Sequence, residues 1–518
     1  MSTATLADIV RDHARARPRA PALAMDEAIL TYEDLDRRAN RVANGLVAAG
    51  VQPGARIALL AKNGLEFFEL LFGAIKAGAV LVPVNFRLAP PEVAYVVNDA
   101  QAALFFVGRD FHELAAQIRG ELQTVRTLYA VDGGHAGWES YATWRDRHGA
   151  LEPGRALAAD DIAVQMYTSG TTGRPKGAQL THANFMQLLP RAIGGWGHWR
   201  ASDTNLVCMP LFHIAGSGWG LVGLYAGACN VVLREVEPKA ILSAIARHRV
   251  TKALFVPAVI LFLLQQPDCA RTDFSSLELV VYGASPIPLE LLQRALQTFG
   301  CAFAQVYGLT ETTGAITYLP PEDHRADRAE RMKSCGRPHG GIELRIVDPS
   351  GRTLPPRVIG EVVCRSAQIM KGYWNLPKAT ASCIRDGWFH TGDAGYLDED
   401  GYLYIYDRVK DMIVTGGENV YPAEVEGALF GHPAVADVAV IGVPDEKWGE
   451  AVKAVVVKKP GTEVTEAELI AFARSRIGGY KLPKSVDFVA SLPRNPSGKL
   501  LKRELRKPYW EGRERQVN

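Results

Sequence analysis

The segment 167–177, YTSGTTGRPKG, gathers three glycines, four Ser/Thr hydroxyls and one lysine into a short span. Glycines let the backbone approach an anion closely and turn N–H groups toward it. Thr168, Ser169, Thr171 and Thr172 add hydroxyl donors, and Lys176 adds a positive charge, so the composition suits a phosphate group. It is not the common nucleotide loop, in which Gly precedes the lysine and Ser or Thr follows it. Here Pro175 precedes Lys176 and Gly177 follows. Four further segments carry polar groups in unusual density: YGLTETTG at 307–314, HTGD at 390–393, DRVKDMIVTGGENVYPAEVE at 407–426 and PRNPSGKLLKREL at 493–505.

The elements that must position these groups alternate along the chain. ILTYEDLDRRANRVANGLVAAGV reads as a short strand and then a helix ending at Gly50, and LEFFELLFGAIKAGAVLVPV as a helix and then a buried strand. RIALLAKNG, TNLVCMPLF, CNVVLRE, VTKALFVPA, LELVVYGAS and CAFAQVYG are apolar strand-like runs, several followed by helical stretches such as PLELLQRALQTFG. Such alternation predicts an α/β fold with layered, largely parallel sheets. From about Ser334 the strands shorten and turn on Gly and Asp, which predicts a β-rich subdomain. After Arg408 the pattern helix, strand, strand, helix, strand predicts a small α+β domain.

With 518 residues the chain is too long for one core. Hydrophobic content of 47% and charged content of 22% are those of a globular enzyme. A formal net charge of +2 gives no field favouring nucleic acid. The seven cysteines form no CxxC motif, and their scatter suits reduced thiols in a cytoplasmic protein. The N-terminus has no continuous apolar segment, so a signal peptide is not expected. No apolar run reaches the ~18 residues of a spanning helix. Arg11, Arg15, Arg17 and Arg19 could make a weak peripheral contact with anionic lipid, against the alternative of a solvated helix face. Oligomeric state is not readable, and a homodimer stays open.

With all five segments in order over nearly its full length, the chain resembles the adenylate-forming superfamily: acyl- and aryl-CoA ligases, amino-acid adenylation domains and firefly luciferase. GGENVYPAEVE followed by GVPDEKWGE is most similar to bacterial fatty-acid and related acid–CoA ligases, the AMP-forming acyl-CoA synthetases. The resemblance implies a two-step reaction. A small-molecule carboxylate attacks the α-phosphorus of ATP and pyrophosphate leaves. The thiol of coenzyme A then attacks the acyl-adenylate and AMP leaves. It also implies an N-terminal domain at 1–407, a hinge at 408–410 and a mobile C-terminal domain at 411–518. Both steps concentrate negative charge, so catalysis is expected to be positioning and electrostatic stabilisation.

By the same resemblance, Thr168, Ser169, Gly170, Thr171, Thr172 and Lys176 hold the β- and γ-phosphates. Glu311 is the expected Mg²⁺ ligand, as the ion takes hard oxygens, and Thr310 contacts a phosphate. Tyr307 offers an aromatic face to adenine, with Gln305, Gly308 and the segment of Gly283, Ala284 and Ser285 around it. Asp393 accepts from the ribose hydroxyls, Arg408 makes a second ribose or phosphate contact, and His390 packs in its turn. Lys499 reaches the substrate carboxylate and the α-phosphate, and Lys410 is the pivot. Gly416, Gly417 and Glu418 guide the thiol of coenzyme A, with Trp448, Tyr480, Lys484 and Arg87 as further contacts. Leu482 stands where a cationic partner is missing.

In MPLFHIAGSGWG, His213 occupies the place where amino-acid adenylation domains carry the Asp that binds an ammonium, so amino-acid substrates are disfavoured. His213, Gly216, Ser217, Trp219 and Gly308, with Gly218, are expected to border the acyl pocket, their small members leaving room for a chain or ring. A gating Trp found in some long-chain relatives falls at Ser217 here, with Trp219 near. Fatty, alicyclic and aromatic acids all remain open. Two other activities use the same adenylation parts: an acyl-AMP ligase that loads a carrier protein, and luciferase-like oxidation of an adenylate. The first commonly carries an inserted segment between domains, and none is visible near 408; nor is a carrier domain expected after Lys499. A non-catalytic protein of this fold is disfavoured by the intact Lys176, Glu311, Asp393 and Lys499.

Overall fold

A computed structural model describes residues 5–168, 174–408, 411–415, 418–445, 447–474, 476–494 and 500–511. Two large sheets dominate. The first runs in the order Arg337–Pro338, Gly314–Leu319, Ala302–Leu309, Leu279–Gly283, Lys252–Phe255, Thr204–Val207, Cys229–Val232, Pro21–Met25 and Ala28–Thr31. Its strands from Ala302–Leu309 through Pro21–Met25 are parallel. The second runs Gly372–Tyr373, Lys176–Thr181, Ile162–Thr168, Val80–Pro83, Arg56–Leu60, Leu104–Val107, Thr127–Ala130 and Glu139–Ser140. It is parallel from Ile162–Thr168 to its far edge. Strands covered on both faces read as unbroken apolar runs, and Val80–Pro83 and Leu279–Gly283 are buried at every position.

The β-rich subdomain is an antiparallel sheet built on Gly360–Arg365, Trp388–Leu397 and Leu403–Arg408. Beyond it the helix Pro422–Phe430, strands Val435–Asp445 and Gly449–Lys458, helix Glu466–Arg474 and strand Ser485–Phe488 follow in the predicted order. They enclose a separate core that includes Ile413, Val425, Leu429, Val440, Val452, Ala454 and Leu469.

Helix starts fix the site's supports. Thr181 ends one strand and caps the helix His182–Gly195, its hydroxyl accepting from the Asn184 N–H while the Asn184 side chain accepts from the Thr181 N–H. The same asparagine donates to the carbonyls of Ala367 and Ile369, tying segment 366–370 to that helix. Of the N-terminal arginines, Arg15 and Arg19 are exposed. Arg11 pairs with Asp8 and Glu152, and Arg17 donates to the Gly227 carbonyl. No helix among the described residues is long and apolar enough to cross a membrane.

Burial holds three imidazoles neutral. His182, His324 and His339 are each lowered from 6.5 to about 4, in every case chiefly by desolvation. Each also accepts a hydrogen bond on a bare nitrogen: His182 from the Leu6 N–H, His324 from the Tyr282 hydroxyl and His339 from the Trp196 indole. The unfolded chain therefore binds more protons between pH 6.5 and 4, and stability falls as pH falls through that window, by up to about 3 kcal/mol per histidine. Thermal melts across pH 7 to 4 are expected to show a descending Tm, and His324→Gln to flatten the slope. A Tm constant over that range would contradict the assignment.

Candidate active site

The phosphate-suited segment is flanked by two paired strands. Strands Ile162–Thr168 and Lys176–Thr181 pair antiparallel, with Thr168 opposite Lys176. Ser169, Gly170, Thr171 and Thr172 lie outside the described residues, as do Lys410, Gly416, Gly417 and Lys499. At the end of the first strand, Thr168 Oγ1 donates to Glu311 Oε1 at 3.2 Å, across 143 residues of sequence.

Glu311 sits in the 3₁₀ turn Thr310–Thr312, between antiparallel strands Ala302–Leu309 and Gly314–Leu319. The turn is sharply constrained. A methyl on Gly308 would stand 1.9 Å from the Gly314 carbonyl oxygen, so only glycine allows this approach. Thr313 is held at φ 56°, unusual for a β-branched residue, with its hydroxyl donating to the Gln368 carbonyl. The Met370 N–H donates to the Glu311 carbonyl. Asn184's grip on segment 366–370 thus reaches the turn through its main chain.

Tyr373, which sequence reasoning missed, completes the cluster. Its hydroxyl donates to Glu311 Oε1 at 2.7 Å, and Lys176 Nζ lies 5.1 Å from its ring centroid. It stands on the edge strand Gly372–Tyr373, paired with the Lys176 strand at Ala178. Only that pairing, between segments far apart in the chain, brings it to Glu311; GYW in the sequence carries no such signal. Next to it, the Trp374 indole donates to the Asp99 carbonyl and takes the Arg56 guanidinium on its face at 3.4 Å. Glu311 is buried, and its Oε2 takes no hydrogen bond among the described residues. No cluster of three His, Cys, Asp or Glu suited to a metal occurs among those residues. One carboxylate with a nearby hydroxyl instead fits Mg²⁺ carried in on phosphates, since that ion commonly uses one or two carboxylates plus substrate oxygens.

A second polar pair lies along the same strand. The Tyr307 hydroxyl donates to Asp393 Oδ2 at 2.7 Å. Asp393 is held in place because its N–H donates to the Thr391 hydroxyl, which donates to the Val362 carbonyl. Arg408 stands opposite Asp393 in the strand register. Gln305, two residues before Tyr307, is buried with its amide oxygen unpartnered among the described residues. An orphaned buried acceptor there fits an N–H donor such as an adenine amino group. His390 is on a strand rather than in a turn, with Nδ1 at 2.8 Å from Glu361 Oε2.

Between the two large sheets' helices and the Glu311 turn lies an apolar cavity of about 80 Å³. His213, Trp219 and Gly308 line it, together with Gly218, Trp196, Ala284 and Thr313. Gly216 and Ser217 serve the packing of their own helix instead. A methyl on Gly216 would stand 2.2 Å from the Pro210 carbonyl oxygen, so its lack of a side chain allows a close backbone approach rather than acyl room. The Ser217 hydroxyl donates to the His213 carbonyl of the same helix start. Trp219 is not hinged. Its indole donates to the Leu206 carbonyl at 3.1 Å, and its ring meets Trp199 edge to face at 5.2 Å. Swinging it out would leave a buried donor and acceptor unpaired, a cost of about 1–3 kcal/mol.

The remaining expected contacts lie on separate elements. Trp448 and Tyr480 are largely exposed on separate turns of the small domain. The Lys484 N–H donates to the Val452 carbonyl. Arg87 lies in the large domain beside Phe86, its pKa lowered by burial. Leu482 is part of the small domain's core, which explains the missing cation at that position.

Comparison with known proteins matches residues 10–374 to the family model "AMP-binding enzyme" and 424–499 to "AMP-binding enzyme C-terminal domain". A fatty acid–[acyl-carrier-protein] ligase of Streptomyces coeruleorubidus is 41% identical over 99% of this chain and 98% of its own. A feruloyl-CoA synthase of an Amycolatopsis species is 42% identical over 96% of this chain and 97% of its own. Among solved structures, an anthranilate CoA ligase in complex with anthranoyl-AMP superposes with a TM-score of 0.92 at 30% identity, covering 98% of this chain and 97% of that one.

Proposed function

We infer the working of this site from one premise: the chain belongs to the AMP-binding enzyme family, the adenylate-forming enzymes that include the acyl-CoA synthetases. It is an AMP-forming acid–CoA ligase, which activates a carboxylic acid with ATP as an acyl-adenylate and transfers the acyl group to coenzyme A. The observation that carries the residue assignment is the meeting of Thr168 and Tyr373 at Glu311, with Lys176 over the Tyr373 ring.

Lys176 and the segment before it hold the β- and γ-phosphates that leave as pyrophosphate. Glu311, with Thr168 beside it, would hold Mg²⁺, which supplies charge neutralisation on the phosphates when bound. Asp393 accepts from ribose, freeing itself from the Tyr307 hydroxyl or sharing with it, and the Tyr307 ring lies against adenine. Gln305 Oε1 takes an adenine N–H. The acyl group enters the cavity lined by His213 and Trp219. Lys499 brings positive charge to the attacking carboxylate and the α-phosphate. The division at 1–407, 408–410 and 411–518 lets the small domain present Lys499 for the first step and the Gly416–Glu418 stretch for the second, with Lys410 as pivot.

Tyr373 is a positioning residue for Glu311. Tyr373→Phe keeps the ring under Lys176 and deletes one charge-assisted hydrogen bond, worth about 1.5–3 kcal/mol. The expected result is a loss of roughly one to two decades in kcat/KM for ATP, with a raised Mg²⁺ requirement and unchanged KM for the acid. An unaltered Mg²⁺ dependence would assign Tyr373 a purely structural role.

The function is tested by incubating the protein with ATP, Mg²⁺, coenzyme A and a panel of acids while following AMP and thioester. Acid-dependent release of both is expected. The carrier-loading relative at 41% identity makes one other outcome specific: pyrophosphate release with acyl transfer to a carrier protein and none to coenzyme A would move the acceptor.

A further inference from the structure

The strands that carry Thr168, Lys176 and Tyr373 are gripped from behind by one helix. Pro90–Asp99 packs on the second sheet, its Val93, Val96 and Val97 sharing a core with Val82 and Phe105. Its Tyr95 hydroxyl donates to the carbonyl of Pro175, the residue before Lys176, at 3.3 Å. Its Asp99 carboxylate accepts from the hydroxyl of Tyr167, the residue before Thr168, at 2.6 Å. The last carbonyls of a helix have no partner within it. That of Asp99 takes the indole N–H of Trp374, the residue after Tyr373, at 2.8 Å. Successive strand residues point to opposite faces, so Tyr167 turns away from Glu311 where Thr168 turns toward it.

The contacts close into a circuit. Gln165 donates its amide N–H to the Tyr167 hydroxyl at 3.1 Å and accepts from Arg56 Nε at 3.2 Å. The Arg56 guanidinium lies on the face of Trp374, and Trp374 leads back to Asp99. The Trp374 main-chain N–H also donates to the Gly177 carbonyl at 2.8 Å. Gly177 stands opposite Tyr167 in the strand register. A methyl there would lie 2.7 Å from Gln165 Nε2 and 3.1 Å from Tyr167 Cζ, so the circuit fits only over a residue without a side chain. Burial first, and Asp99 next, raise the pKa of the Tyr167 hydroxyl, which therefore stays protonated and able to donate. Groups from separate segments are thus held at one spacing by bonds that support one another.

Taking the acid–CoA ligase reading as its basis, we infer that Asp99 is a positioning residue for ATP: its carboxylate, acting through the Tyr167 hydroxyl, sets where Thr168 stands relative to Lys176, Tyr373 and Glu311. Asp99 lies on the other face of the sheet from Glu311 and works only through its neighbours. Its effect falls on the β- and γ-phosphates, because the groups it places are those assigned to them. A displacement of such groups by about 1 Å costs up to roughly two decades in rate.

The test measures acid-dependent pyrophosphate exchange, and thioester formation from a supplied acyl-adenylate, in the wild type, Asp99→Ala, Asp99→Asn, Tyr167→Phe and the variant carrying both Asp99→Ala and Tyr167→Phe. In Asp99→Ala the KM for ATP is expected to rise about tenfold, with the KM for the acid unchanged. Thioester formation, which needs no β- or γ-phosphate, is expected to stay within about twofold of wild type. Asp99→Asn keeps an oxygen that accepts from Tyr167 and is expected to bring the KM for ATP back to within about threefold. Tyr167→Phe deletes the same bond while keeping the aromatic ring, so it serves should Asp99→Ala not fold. The double variant is expected to be no worse than the poorer single one, since both remove one interaction. An unchanged KM for ATP with only a lowered Tm, additive effects in the double variant, or equal losses in both half-reactions would overturn the inference and leave the ligase intact. Absence of pyrophosphate exchange with every acid in the wild type would instead overturn the ligase reading, and the inference with it.

Discussion

Lys499→Ala is expected to lower acid-dependent pyrophosphate exchange by roughly three orders of magnitude. A lysine–anion contact near ~4 Å at an effective dielectric of ~20 contributes about 4 kcal/mol, and each 1.36 kcal/mol is tenfold in rate. Charge is greatest as the carboxylate approaches the α-phosphorus, so the loss should fall on the first half-reaction. Thioester formation from a supplied acyl-adenylate should change only a few-fold, because that step breaks the acyl–phosphate bond and, in the proposed domain movement, takes place with the small domain turned to its other face. Rapid-quench measurement of the two half-reactions separates them. Equal losses in both would refute the assignment of Lys499 to adenylation and point to a general role in holding the small domain.

Glu311→Gln should cost roughly two to three decades in kcat/KM for ATP. The substitution removes one unit of charge while leaving an amide oxygen able to accept from Thr168 and Tyr373, whose bonds are made to Oε1. The turn around it is secured by main-chain and glycine contacts that the substitution does not touch. Folding should therefore be unchanged, as a thermal melt would show. The half-saturating Mg²⁺ concentration should rise, and added Mg²⁺ should recover part of the rate. Glu311→Ala should be worse, since the Tyr373 and Thr168 hydroxyls would also lose their acceptor. A Gln variant with normal Mg²⁺ dependence would show that the carboxylate is there to order Thr168 and Tyr373 rather than to meet a metal.

The two variants probe opposite kinds of knowledge. Lys499 is proposed from its place in the motif PRNPSGKLLKREL, one of five that fall in a familiar order. Glu311 is proposed in the same way, but its partner Tyr373 is not. Sixty-two residues separate the two, and they meet only because the edge strand Gly372–Tyr373 pairs with the Lys176 strand. The acyl pocket shows a similar divide. His213, Trp219 and Gly308 line the cavity, whereas Gly216 is small for the sake of the Met209 and Pro210 carbonyls behind it.

What is legible in the residues alone is local or repetitive. Alternating apolar runs specify strands and helices, because burial on one or both faces imposes a period on side-chain type. The small domain's helix, strand, strand, helix, strand order is legible on those grounds. Reactive groups at short fixed spacing are legible too, because a turn that must approach phosphate needs glycine and hydroxyls within a few residues. The packed chain settles which distant side chains meet: Tyr373 with Glu311, Tyr307 with Asp393, and Trp196, Trp199 and Trp219 behind one small cavity. Such contacts arise from strand pairing and layer packing across long stretches of chain, and they leave no period in any one segment.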